Sequence, residues 1–201
     1  MAFVVVLIFI LALTVYFLRH NIKLGKKLKE LANTDALTGV FNRRCFMDLC
    51  VPQIERVFRT GGECFIIIFD LDHFKRVNDT YGHQGGDQVL REISRRIKRT
   101  VRSYDLLARY GGEEFIVFMP EISKENAINA AERMRRVVCD TPVEFEGQQI
   151  QVSSSFGIAY AAPFNKIEKA TQFADEALYK AKEAGRNQVV FYEGDSEDEP
   201  G

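Results

Sequence analysis

"CFIIIFDLD", residues 64–72, is an unbroken run of isoleucine and phenylalanine that closes on two aspartates. A strand wetted on one face alternates polar and apolar residues. A run with no alternation reads instead as a strand buried on both faces, delivering Asp70 and Asp72 at its carboxyl end. Working backward, helical periodicity runs from the end of "ANTDALTGVFNRR" (32–44) to about Arg59, where Gly61-Gly62 ends it. Working forward, "HFKRVNDTYGHQGGD" (73–87) has the polar residues and glycines of a loop that lines a ligand. Val89, Leu90, Ile93, Ile97 and Val101 then form the stripe of a helix from about Gln84 to Val101. Leu106 to Tyr110 and Phe115 to Met119 read as two strands with Gly111-Gly112-Glu113-Glu114 at the tip between them.

The remainder alternates in the same way. Ile128, Ala131, Met134 and Val138 mark a helix, and "QVSSSFGIAYA" (151–161) a strand. Asn165 with Glu168 has the form of a capping box opening a helix to about Ala184, Gly185 suits its end, and "QVVFY" (188–192) is a last strand. This order predicts an α+β sandwich in which helices cover a mixed or antiparallel sheet.

The chain has 201 residues, 46% of them hydrophobic, enough for the core of one domain of ordinary size. With 27 Lys+Arg against 28 Asp+Glu it has no global basic field, so no nucleic-acid partner is expected. Cys45, Cys50, Cys64 and Cys139 have neither CxxC nor Cys/His spacing, which argues against a zinc site or a disulfide framework and for a reducing compartment. From Ala2 to Leu18 every residue but Thr14 is apolar or aromatic, a run of about 17 that reaches the lower limit for a membrane-crossing helix. Arg19, Lys23, Lys26, Lys27 and Lys29 follow it, and Tyr16-Phe17-Leu18-Arg19 is a poor cleavage site. Residues 1–18 are therefore expected to be an uncleaved transmembrane anchor that leaves residue 19 onward in the cytoplasm. Residues 19–34 form a helical linker with Leu24, Leu28 and Leu31 on one seam. That seam either pairs with its twin as a short coiled coil or lies against its own domain. Residues 35–192 are the folded domain, and 193–201 an acidic, disordered tail.

Adjacent central strands bring their ends together, so Asp70 and Glu113 are expected to converge. Two hard oxygen ligands suit magnesium, which keeps several waters and completes its shell from substrate phosphates. Gly111 and Gly112, lacking side chains, let a phosphate approach the backbone amides. Lys182, in a last helical turn, and Arg186, just past it, are placed to clamp phosphates.

With these residues in view, "DALTGVFNRR", "FDLDHFKRVNDTYGHQGGD", "ARYGGEEF", "SFGIA" and "ALYKAKEAGRN" together resemble the GGDEF family of diguanylate cyclases in its GGEEF variant, over about residues 31 to 192. The resemblance implies a sheet wrapped by helices like the palm of nucleotide cyclases and polymerases. It also implies condensation of two GTP molecules into cyclic di-GMP across a homodimer. It assigns magnesium, or manganese in its place, to Asp70, Glu113 and the Leu71 carbonyl, and puts Glu114 next to the reacting phosphate. Asn78 and Asp87 match the guanine-binding pair, and an ionised aspartate can accept from both N1–H and the amino group of guanine, which adenine cannot match. Lys182 and Arg186 match the residues that hold the triphosphate, and Lys75 is a further phosphate contact. "RSYD" (102–105) resembles the family's product-inhibition site, with Arg102 and Asp105 as primary contacts and Arg133 as a secondary one. With the anchor, the resemblance implies a single-pass protein of the bacterial inner membrane. Two readings of other classes are a silent module that binds cyclic di-GMP and a signalling scaffold.

Overall fold

A computed structural model describes residues 13–21, 33–161 and 167–194. Its elements, in order, are β1 (Phe41–Asn42), α1 (Arg43–Arg59), β2 (Cys64–Leu71), α2 (Phe74–Thr100), β3 (Leu106–Gly111), β4 (Glu114–Pro120), α3 (Lys124–Cys139), β5 (Val143–Phe145), β6 (Gln148–Ile150), β7 (Ser154–Tyr160), α4 (Ile167–Glu183) and β8 (Val189–Phe191).

β2 is the strand around which the domain is built, and all eight of its residues are buried. It lies at the centre of a six-stranded mixed sheet ordered β1-β3-β4-β2-β7-β8. Both of its neighbours are antiparallel to it, and the two outer pairs, β1 with β3 and β7 with β8, are parallel. Phe65, Ile67, Phe69 and Leu71 face one way, into a core completed by Val89, Leu90, Ile93 and Ile97 of α2 and Ala127, Ala131 and Met134 of α3. Cys64, Ile66 and Ile68 face the other, against Phe46, Cys50, Ile54 and Val57 of α1 and Ala170, Ala174 and Leu178 of α4. Two apolar layers thus account for the missing alternation. The expected sandwich is present, with two helices on each face of the sheet.

Three differences from the sequence reading follow from local geometry. Residues 74–87 belong to α2 rather than to a loop, with His73 as the residue that precedes the helix. Gly82 has φ 69° and ψ 172°, which breaks α2 into two arms. The polar, glycine-bearing composition marks this kink, not an irregular segment. β1, two residues long, and the β5–β6 hairpin were not expected, being too short to show periodicity. In the tail, Glu193 is placed, and its carboxylate accepts from Lys124 Nζ at 3.1 Å.

Several expectations lie outside the described residues: the leucine seam at 24, 28 and 31, the capping residue Asn165, the tail from 195 onward and the greater part of the apolar run. Residues 13–21 are helical, with Leu13, Val15, Tyr16, Phe17 and Leu18 exposed. Among the described residues no helix is long and apolar enough to cross a membrane.

Candidate active site

Strand pairing, rather than proximity in sequence, assembles the site. Asp70 stands opposite Glu114 on β4 and opposite Ser155 on β7. The β3–β4 hairpin pairs Gly111 with Glu114, with a bulge between Arg109 and Gly111, so Gly112 and Glu113 form its tip beside the end of β2. Such a bulge turns the end of a hairpin out of the plane of its sheet. Burial, joined by the smaller effects of the Glu113 and Glu114 charges, pushes the Asp70 carboxyl up to about 6 against the opposing pull of Lys182. Lys182 Nζ, from the last turn of α4, lies 3.3 Å from Asp70 Oδ1. Glu113 and Glu114 are therefore within electrostatic reach of Asp70 at the end of the central strand, and Lys182 is in contact with it.

Among the described residues there is no cluster of three or more His, Cys, Asp or Glu side chains that could cage a metal by themselves. The donor set fits magnesium in a different way. Burial chiefly, and to a lesser degree the charges of Glu113 and Glu114, disfavour the ionised Asp70 carboxylate, a cost that a divalent cation would offset, and a sparse set of hard oxygens leaves coordination sites for water and phosphate. Leu71 is buried beside Asp70 and pairs with Ser154.

Gly112 bears on why the tip is glycine. Its φ is not positive, and a Cβ built there would meet no atom within 4 Å. Neither backbone conformation nor packing within the chain calls for glycine at this position. A surface left bare beside the carboxylates suits the approach of a phosphate to the amides.

The kink in α2 joins a second pair. A Cβ on Gly86 would collide with the Asn78 side-chain oxygen, so the first arm of α2 folds back until Asn78 rests on the backbone next to Asp87. Asp87 is half exposed, with Arg91 3.6 Å away. Lys75 and Arg186 are exposed, and no described side chain pairs with either. Arg186 sits in a left-handed turn, with φ 65°.

The "RSYD" segment forms a local structure of its own. The Arg102 amide donates to Asp105 Oδ2 at 2.7 Å, while the Arg102 guanidinium donates to the Tyr104 hydroxyl at 3.1 Å. Asp105 Oδ1 is buried without a hydrogen-bond partner among the described residues. Burial pushes this carboxyl up, against the pull of the Arg102 amide and of the Arg102 and Arg133 charges. A cavity of about 300 Å³ adjoins it, with Lys98, Arg102, Asp105 and Thr34 in its wall.

Three further residues belong to this architecture: Arg109 and Asp35, which were not singled out in the sequence, and Asp72, which was read there only as the second carboxylate at the end of the strand. Arg109 donates through Nε to the Gly112 carbonyl at 2.9 Å and through Nη1 to Asp35 at 3.1 and 3.3 Å, tying the hairpin tip to the turn that enters the domain. Burial would raise Asp35, but the Thr38 hydroxyl and amide together with Arg109 hold it below the usual carboxylate range. Asp72 accepts from the Ser153 and Ser155 hydroxyls, both at 2.7 Å, and from the Asn187 amide at 3.1 Å. Arg109 and Asp35 lay inside quoted motifs, and their charge in a stretch of core strand and tight turn was the available signal.

The profile of the family described as diguanylate cyclase, GGDEF domain, matches residues 32–188. Among curated proteins, the uncharacterised protein YhcK of Bacillus subtilis is 42% identical over 188 residues, covering 90% of this chain and 52% of its own length. The diguanylate cyclase DgcP of Pseudomonas aeruginosa is 37% identical over 161 residues, covering 80% of this chain and 24% of its own length. The chain thus spans about half of one relative and about a quarter of the other. Among solved structures, the coiled coil and GGDEF domain of DgcB from Caulobacter crescentus, in complex with c-di-GMP, matches with a TM-score of 0.83 at 29% identity, over 90% of this chain and 96% of that one.

Proposed function

Because the chain belongs to the GGDEF family of diguanylate cyclases, we propose that it condenses two molecules of GTP into cyclic di-GMP, releasing two of pyrophosphate. The observation that carries this reading is the Asp70–Lys182 ion pair at the end of β2, with Glu113 and Glu114 near enough to act on the Asp70 carboxyl. Asp70 and Glu113, with the Leu71 carbonyl, would hold magnesium or manganese there. Such an ion supplies charge neutralisation on the phosphates and a lower pKa for the attacking hydroxyl.

The chain's own residues orient the nucleotide. Asn78 and Asp87 hold the guanine, Asp87 accepting from N1–H and the amino group. Lys182 leaves Asp70 for the phosphates, joined by Arg186 and Lys75, while the Gly111 and Gly112 amides face the triphosphate. Glu114 stands beside the reacting phosphate. Each protomer presents one GTP, and the 3′-hydroxyl of one attacks the α-phosphorus of the other, with pyrophosphate departing in line. A single copy is then half of an active site, and pairing of two copies supplies the proximity. The seam at Leu24, Leu28 and Leu31 is assigned to that pairing. The apolar run at 2–18 is assigned as a single-pass anchor holding the domain at the cytoplasmic face of a bacterial inner membrane.

Product inhibition is assigned to Arg102, Asp105 and Arg133. It is supported by Asp105 Oδ1, a buried acceptor with no partner among the described residues beside the cavity that Arg102 also lines, and by the Arg102 guanidinium, which donates to the Tyr104 hydroxyl. Incubation of the full chain with GTP and magnesium, with products resolved by mass spectrometry, tests the reading. Cyclic di-GMP from the parent and none from Glu113→Ala is the expected result. GTP left unbound by the parent would overturn it.

A further inference from the structure

Between α4 and β8 the chain turns through three consecutive residues of positive φ: Gly185 at 113°, Arg186 at 65° and Asn187 at 46°. Two of these carry side chains, for which the left-handed region costs about 1–2 kcal/mol each, so the turn persists only where its surroundings hold it. Part of the restraint is local. The Arg186 amide and the Gln188 side chain both donate to the Ala181 carbonyl, at 3.0 and 2.8 Å. Arg135 Nη1 of α3 donates to Asn187 Oδ1 at 2.8 Å. The remaining restraint comes from the catalytic end of the sheet: the Asn187 amide donates to Asp72 Oδ2.

We infer that Asp72 is a positioning residue for the phosphate clamp, fixing the backbone next to Arg186 relative to the carboxylates at the end of β2. This rests on the nucleotide reading above. Asp72 is suited to the part because it cannot move. It is 6% exposed, its amide donates to the Ser153 carbonyl at 2.9 Å, and the Ser153 and Ser155 hydroxyls occupy its two oxygens. It follows Asp70 by two positions on the same extended segment, so one short length of backbone references both the cation-holding carboxylate and the cationic clamp. The count calls for a planar side chain with two polar ends: two donors converge on Oδ2 and one on Oδ1, and a single hydroxyl could not serve them all.

The inference separates Asp72 from an ordinary structural carboxylate. Its wall of the fold faces a cavity of about 680 Å³ shared with Ser153, Arg76 and Asn187, so water can reach the Asn187 amide when the carboxylate is removed. Asp72→Ala is therefore expected to fold with a loosened turn. Asp72→Asn can keep the turn, with its oxygen accepting from Ser153 and the Asn187 amide and its NH₂ donating to the Ser155 hydroxyl.

Binding of an α,β-methylene analogue of GTP, which cannot release pyrophosphate, is measured by calorimetry on the full chain with magnesium. Asp72→Ala is expected to weaken binding about tenfold, the size of one lost charge-assisted contact, and Asp72→Asn by less than about threefold. Arg186→Ala is expected to match Asp72→Ala, and the double variant to be no weaker than Arg186→Ala alone, whereas Asp72→Ala with Asp87→Ala adds in full. Unchanged binding by Asp72→Ala, or additivity with Arg186→Ala, overturns the inference while leaving the nucleotide reading standing. An analogue that fails to bind the parent overturns both. Hydrogen exchange supplies an arm that needs no variant: the Asn187 amide, on an exposed residue, is expected to exchange slowly, and rapid exchange overturns the inference.

Discussion

Asp70 ionises at about 6 in the fold against 3.8 in an open chain, because burial, Glu113 and Glu114 outweigh Lys182. The folded state therefore binds a proton more tightly than the unfolded state does, and stability falls as pH rises from 3.8 through about 6. Above that range the metal-free protein carries an ionised, crowded carboxylate. Asp70→Asn is expected to melt about 3–8 °C above the parent at pH 7.5 without divalent cations, and at the same temperature near pH 4. Magnesium should stabilise the parent more strongly as pH rises through about 6, and Asp70→Asn hardly at all. Thermal melts across that range check both statements. At Gly86 the constraint is steric. A methyl group there displaces Asn78 from its seat and presses on the Phe74 ring, so Gly86→Ala should weaken binding of a GTP analogue about tenfold and lower the melting temperature as well, which calorimetric titration and thermal melts would show.

Among the elements, the β3–β4 hairpin and α2 illustrate what could be read in the sequence and what could not. The unbroken run at 64–72 and the Gly-Gly-Glu-Glu tip were legible because composition there is dictated by burial and by the demands of the tip. The segment at 73–87 misled because helix and loop share a polar, glycine-bearing composition, and one dihedral at Gly82 distinguishes a kinked helix from a loop. Arg109 with Asp35, 74 positions apart, and Asp72 with Asn187, 115 apart, depend on sheet register, which no local pattern encodes. Arg109 makes the hairpin tip and the entry turn one element mechanically. Arg109→Ala removes a partly buried charge from two partners, and a loss of about 1–3 kcal/mol is expected, with faster hydrogen exchange at 111–114 and at Thr38 together. Exchange that quickened at only one of the two places would mean that they are not coupled.

At the scale of the molecule, the proposed chemistry needs two copies, so activity should rise more steeply than in proportion to protein concentration. Replacing Leu24, Leu28 and Leu31 with serine is expected to shift that dependence to higher concentration while leaving turnover per dimer near the parent's, which a dilution series of initial rates would show. Arg102→Ala should let product accumulate to levels at which the parent has slowed, measured as progress curves with added cyclic di-GMP.

The margins of the sheet bear on how such copies can meet. β1 at one edge is two residues long and β8 at the other is three, and each runs parallel to its neighbour. Edges so short give an incoming chain almost no ladder to extend, which is the protection that natural sheets use against edge-to-edge aggregation. A crowded population of these domains can then collide often without zipping into fibres, and an encounter between two of them can come apart again.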